Sequence, residues 1–159
     1  MINAHFLNKI FEYKNGNLYR KQSAGGQIAG SKIGYLRRDG YFAAKINGVN
    51  YLLHRLVFLL HHKYMPTQID HIDGNRSNNK IENLRPATIN ENARNSKKPS
   101  HNTSGYKGVC WDKSRNKWFA RLNFNYKSHH VGYFDKIEEA KKAVELYRNQ
   151  LHGSFAKHE

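Results

Sequence analysis

Cys110 is the only cysteine in this 159-residue chain. One thiol excludes an intramolecular disulfide and a multi-cysteine zinc site, and it suits a reducing compartment. Acidic side chains are also scarce: 12 Asp and Glu stand against 27 Lys and Arg, for a formal net charge of +15 and a pI near 10.0. The longest apolar stretch, residues 51–60, contains His54 and Arg55 and is too short to span a bilayer. The N-terminus, with Asn3, His5 and Asn8, lacks the apolar core of a signal peptide, so a cytoplasmic location is expected. No internal repeat is visible. The length excludes a large multi-domain enzyme and allows one ordinary domain or two small ones.

What is present is positive charge interleaved with aromatic residues, which make up 13% of the chain. That combination favours a polyanionic partner, nucleic acid before small acidic molecules. Lysine and arginine exceed the acids along the whole length, so the excess reads as folded modules with basic faces, not as a disordered tail.

Residues 10–13 and 18–20 flank Asn15-Gly16, a hairpin signal because both residues tolerate positive φ. Asp39-Gly40 and Asn47-Gly48 repeat it around a strand at 41–46, followed by another at 50–53, so the first third reads as one small antiparallel meander. Arg37 and Arg38 are available there for an exposed, DNA-binding face. The run 53–60 is ambiguous between strand and helix by periodicity, but its length and its basic end at His61-His62-Lys63 favour a helix. Pro66 leads into an extended segment at 68–72. Thr88 and Glu91 form a capping box for a helix that starts at Ile89, carries Asn92 and frays near Ser96. Residues 97–103 have linker composition. Beyond them come three strands, at 109–111, 118–123 and 130–134. A helix follows at 137–150, with Asp135 as N-cap and Gly153 past its end.

The chemistry-bearing constellation is Asp70-His71, then Asn83, then Asn92. Asp70 is a hard oxygen ligand for Mg²⁺ and Asn92 offers a neutral carbonyl oxygen, leaving other positions for water and phosphate. A neutral His71 can take a proton from an attacking water. Neighbours on a regular strand face opposite ways, so Asp70 and His71 share a site only if one reaches it from the strand's end. His61, His62, His101, His152 and His158 form no such pattern and read as solvated or locally satisfied.

Ile69-Asp70-His71-Ile72-Asp73-Gly74-Asn75, with Ile81-Glu82-Asn83-Leu84-Arg85 and Asn90-Glu91-Asn92, resembles the HNH nuclease motif of phage and intron-encoded homing endonucleases. The resemblance implies two strands and a helix around one divalent metal, Mg²⁺ with Mn²⁺ able to substitute. It makes Asp70 and Asn92 the metal ligands and His71 the general base. Asn83 is then the middle residue that holds the His71 loop, and Arg85 or Arg94 steadies the phosphate. The family's last position is often His; Asn92 marks the homing subset. Residues 51–57 are similar to the segment that precedes the motif in these proteins, with His54 and Arg55 structural or phosphate-contacting rather than catalytic.

Ser104-Gly105-Tyr106-Lys107-Gly108-Val109, Lys117-Trp118-Phe119-Ala120, Val131-Gly132-Tyr133-Phe134 and residues 138–143 resemble the AP2/ERF DNA-binding domain. The resemblance implies a three-stranded sheet on one helix, its other face laid in the major groove. Alternation by itself turns Trp118, Ala120, Leu122 and Val131 toward the helix and Phe119, Arg121, Asn123 and His130 outward, with Lys107 on the first strand completing the polar face. Arg121 suits guanine and Asn123 adenine, or either a phosphate. Trp111 fits the core or the DNA face. Cys110 and His130 replace family arginines and a tryptophan, so no target sequence carries over.

The expectation is an α+β chain: a basic β meander plus helix (1–64), a ββα-metal HNH finger (65–96), a linker (97–103) and an AP2-like domain (104–159). Its function would be metal-dependent, site-specific DNA hydrolysis, with double-stranded DNA as partner, no membrane and no obligate protein partner, in host cytoplasm if phage-encoded. A non-catalytic DNA-binding regulator is the first rival, and an RNA-binding protein the second.

Overall fold

A computed structural model describes residues 2–95 and 102–158, the side chain of Arg94 excepted. They divide into two compact units, Met1–Thr88 and Ile89–Glu159.

The first unit opens with a helix that the hairpin signals did not announce, α1 (Ala4–Ile10). Asn3 caps it by accepting the Phe6 N–H at 2.8 Å, and Leu7 is buried. Strands β1 (Phe11–Lys14) and β2 (Asn17–Arg20) then pair antiparallel through Asn15 and Gly16, both at positive φ, as the Asn-Gly pair predicts. The largely exposed stretch 21–34 separates this hairpin from β3 (Tyr35–Leu36), β4 (Phe42–Ile46) and β5 (Val49–Leu52), which form a second sheet in the order β3-β4-β5. The expected single meander is therefore two sheets: residues 30–33 bond β2 only around the isolated bridge Tyr19–Lys32, and the ladder does not run on to β3.

The ambiguous run resolves as α2 (Leu53–His62), ending in a left-handed Lys63. Leu53, Leu56, Val57 and Phe58 are buried along it, and they meet Leu7, Phe11, Leu18 and Ile46 in one core. Ile69 on β6 (Gln68–His71) and Leu84 on β7 (Leu84–Ala87) belong to that same core. The antiparallel pair β6-β7 sets Asp70 opposite Arg85 and His71 opposite Leu84, with a short 3₁₀ turn at Ile81–Asn83 before β7.

The second unit contains α3 (Ile89–Arg94), which starts where the capping pattern places it; Ser96 and most of the expected linker, 97–101, lie outside the described residues. Strands β8 (Val109–Asp112), β9 (Lys117–Phe124) and β10 (Lys127–Phe134) form a sheet in the order β10-β9-β8, packed on α4 (Ile137–His152). Val109, Ala120, Ala140 and Val144 are its buried centre, and Trp118, Val131, Phe134 and Ile137 pack around them. Asp135 is not the cap of α4. That position is Lys136, without a side-chain bond, because the Asp135 carboxylate is drawn to Lys117 Nζ at 3.1 Å. The helix runs on to His152, and Gly153 at φ 53° follows it.

Gly108, at φ 85°, leaves no room for a side chain: a Cβ there would lie 2.6 Å from the Arg121 carbonyl oxygen and 3.2 Å from an Arg148 guanidinium nitrogen. Gly108→Ala combines left-handed strain with that clash, and it should destabilise the second unit by about 1–3 kcal/mol or more. Calorimetry should show the corresponding transition lowered, with that of the first unit unchanged.

Candidate functional site

Strand β6 is covered on both sides, so Ile69, Asp70 and His71 are all buried although they alternate in direction. Each polar member consequently has its own partners. The Asp70 carboxylate, 3% exposed, accepts two bonds at Oδ2 from Arg85, from Nε at 2.8 Å and a terminal nitrogen at 2.7 Å. Arg85, expected at the phosphate, is the counter-ion of Asp70. A buried carboxylate needs such a partner, since an uncompensated one costs several kcal/mol.

His71, 4% exposed, donates its Nε2–H to Asn79 Oδ1 at 3.2 Å, which puts the lone pair of the neutral ring on Nδ1. Burial lowers its pKa from the ordinary value, against the opposing pull of Asn79, Asp73 and Asp70. His54 stands edge-on to it, ring centroids 5.0 Å apart, and Tyr41 lies 5.9 Å away.

The loop between β6 and β7 is braced from within. Asn83 accepts the Asp73 N–H at 3.0 Å and donates to Asp73 Oδ1 and the Asn78 carbonyl, both at 2.9 Å. Asp73 also accepts from the Asn75 N–H and the Asn78 amide, each at 2.7 Å. Burial raises the Asp73 pKa, but those bonds from Asn78, Asn75 and Asn83 outweigh it and hold the carboxyl below its ordinary value. The β1-β2 hairpin braces the loop from outside: Tyr13 Oη accepts the Ile81 N–H at 3.0 Å, and a Cβ on Gly16 would sit 2.8 Å from Lys80 N. The N-terminal hairpin thereby fixes the segment that carries Asn79.

The first unit thus brings together Asp70, His71 and Asn83, and Asn92 is on α3 in the second. Sequence reasoning missed Tyr41, Asn79, Asp73 and Arg76, and it assigned His54 no place beside His71. Asp73 stands inside the HNH-like motif without an assigned role, and Asn79 lies outside the quoted motif. Arg76 lies over the Tyr41 ring at 5.0 Å and donates to the Asp39 carbonyl at 3.0 Å. Arg37 pairs with Asp39 at 2.9 Å, and Arg38 is exposed.

In the second unit Ala120 and Leu122 are buried against α4, while Arg121, Asn123 and His130 are exposed on the opposite face, His130 directly across from Arg121. Phe119 stacks between His130 and Tyr133 at 5.2 and 5.0 Å. Trp111 meets Trp118 edge-on at 5.0 Å and remains 42% exposed. Lys107 is a correction. It lies in the turn before β8, not on the strand, because Gly108 bends the chain there and the Lys107 carbonyl accepts from Arg148 at 2.6 Å. Burial, together with Arg148 and Lys157, pushes its ammonium pKa down to about 8. Of the other histidines, His61 bonds the Val57 carbonyl at 2.9 Å, His62 stacks on Phe58, His152 stacks on Phe124, and His158 bonds Arg148 and Asn149; His101 lies outside the described residues.

A family model described as HNH endonuclease matches residues 51–94, and one described as AP2 domain matches 104–154. Protein 3.8 of Escherichia phage T7 is 42% identical over 89 residues, 56% of this chain and 73% of that protein. The chain belongs to the HNH endonuclease family. An uncharacterized HNH endonuclease of Acanthamoeba polyphaga mimivirus is 33% identical over 125 residues, 77% of this chain and 64% of that one. No solved structure matches significantly. The protein is thus an HNH-type nuclease with an AP2 domain, and its partner is DNA. Among the described residues no helix is long and apolar enough to cross a membrane.

HNH membership implies a divalent metal cofactor. Among the described residues no cluster of three His, Cys, Asp or Glu side chains could hold an ion. In the first unit the Asp70 carboxylate is a hard oxygen donor, a kind of ligand that suits Mg²⁺ with its retained water and phosphate and not a closed zinc site.

His54 is 5% exposed, and burial, then His71, then Arg55 push its pKa down to about 3. A histidine depressed in the fold adds full stability above its unfolded pKa near 6.5 and loses it as pH falls toward the folded value. The first unit should therefore lose on the order of 3 kcal/mol between pH 6.5 and pH 4 from His54 alone. Melting temperatures across that range should fall steeply in the native protein and less steeply in His54→Phe.

Proposed function

We propose that the protein is a metal-dependent, site-specific DNA endonuclease of the homing type, in which β6, β7 and α3 form a ββα-metal finger. The observation that carries this reading is a neutral, enclosed imidazole. His71 is held through Nε2 by Asn79, on the same strand as an Asp70 whose carboxylate is fixed by Arg85.

Asp70 and Asn92 would hold Mg²⁺, with Mn²⁺ able to substitute. The ion supplies Lewis-acid stabilisation of the negative charge that grows on the leaving 3′-oxygen. His71 is the general base, taking a proton from the attacking water at Nδ1. Asn83 acts through the loop: its bonds to Asp73 and Asn78 keep the end of β6 from shifting, so it is a positioning residue. Arg121, Asn123 and His130 meet the duplex from the exposed sheet face, with Lys107 beside them, and Arg37 and Arg38 add contacts from the first unit. Two DNA-binding modules on one chain raise the effective concentration of the finger at its site.

Purified protein should nick supercoiled DNA that contains a bound site in Mg²⁺ or Mn²⁺, and EDTA should stop it. His71→Ala should slow nicking by about 10²–10⁴-fold while leaving DNA affinity intact. Tight binding of that DNA with no nick under either metal would replace this reading with a non-catalytic regulator.

A further inference from the structure

His54 is an expensive residue to keep where it is. It is the second residue of α2, 5% exposed, with Nδ1 buried and without a hydrogen-bond partner. A buried polar atom left unpaired costs about 1–3 kcal/mol, and an aromatic hydrocarbon would pack the same space without that cost. The ring lies 5.0 Å from that of His71 at 72° and 5.2 Å from Tyr41, so it is part of the wall around the general base. With Nδ1 enclosed, Nε2 is the nitrogen left to meet a ligand.

The same spot is the positive end of a ten-residue helix. Leu52, the N-cap of α2, gives no side-chain bond to the first turn. A helix N-terminus favours an anion. The anion that must come to His71 for hydrolysis is a DNA phosphate.

We propose that His54 is a catalytic residue of the nuclease, donating its Nε2–H to a non-bridging oxygen of the scissile phosphate while His71 takes the proton from water. This rests on the nuclease reading above. The two rings divide the work through their surroundings. Asn79 accepts from Nε2 of His71 and leaves basicity on Nδ1; enclosure of Nδ1 in His54 directs its N–H to Nε2. A neutral donor suits the task, because it stabilises developing charge without competing for the proton that His71 removes. Burial first, then His71 and Arg55, keeps His54 neutral across the working pH range.

The test is single-turnover nicking by the full chain in Mg²⁺, with DNA affinity measured separately in EDTA. His54→Phe keeps the ring and removes the donor; its rate should fall about 10²–10³-fold with affinity unchanged. His54→Gln returns an amide N–H near the Nε2 position and should recover most of the loss. His54→Asn mimics Nδ1 and should not. A phosphorothioate at the contacted oxygen should slow the native enzyme and have no added effect in His54→Phe. Native-rate cutting by His54→Phe, equal rates for the Gln and Asn variants, or the same thio effect in native and Phe enzymes would overturn the assignment. If His54→Phe fails to fold by circular dichroism, the Gln–Asn comparison decides. A native protein that binds but never nicks removes the nuclease reading itself, an outcome distinct from any difference among variants.

Discussion

A regular strand sends Asp70 and His71 to opposite sides of β6, and the candidate site is arranged around that constraint. Both residues are buried, so neither can rely on water, and each side of the strand supplies its own remedy. On one side Arg85, directly across the ladder, neutralises the carboxylate with two bonds. On the other, Asn79, His54 and Tyr41 surround the imidazole. The core residues Ile69 and Leu84, one from each strand, keep the register in which those partners coincide. A slip by one residue would exchange the faces of Asp70 and His71 and separate each from its partner.

The N-terminal segment is bound up with this arrangement. Its hairpin packs backbone to backbone against residues 79 and 80, and Tyr13 takes up the Ile81 N–H. The tip can come that close because Gly16 has no Cβ. The loop that presents Asn79 is thus closed from inside by Asn83 and Asp73 and from outside by the hairpin.

Charge is distributed with the same economy. The chain carries +15, yet the imidazoles at the site are held neutral by burial. The AP2 sheet exposes Arg121, Asn123 and His130 on the face away from α4. The charges that attract a polyanion and the neutral imidazoles of the candidate site are therefore different groups.

Local pattern determined much by itself. Asn15-Gly16 specified the first hairpin, and Ala140, Ala143, Val144 and Tyr147, spaced i, i+3, i+4, i+7, specified the AP2 helix. Alternation on β9 assigned faces that burial reproduces for Ala120 and Leu122, and the spacing of Asp70, His71, Asn83 and Asn92 carried the HNH resemblance. Such features depend on neighbours in the chain, so a sequence displays them directly. The split of the expected meander into two sheets, the pairing of Asp135 with Lys117, the capture of Arg85 by Asp70 and the position of His54 against His71 were decided by tertiary structure. These contacts join residues far apart in sequence: the buried Asp70 carboxylate competes for Arg85, the exposed Asp135 takes Lys117, and His54 meets His71 with its own Nδ1 left unpartnered. That competition is settled only when the core closes.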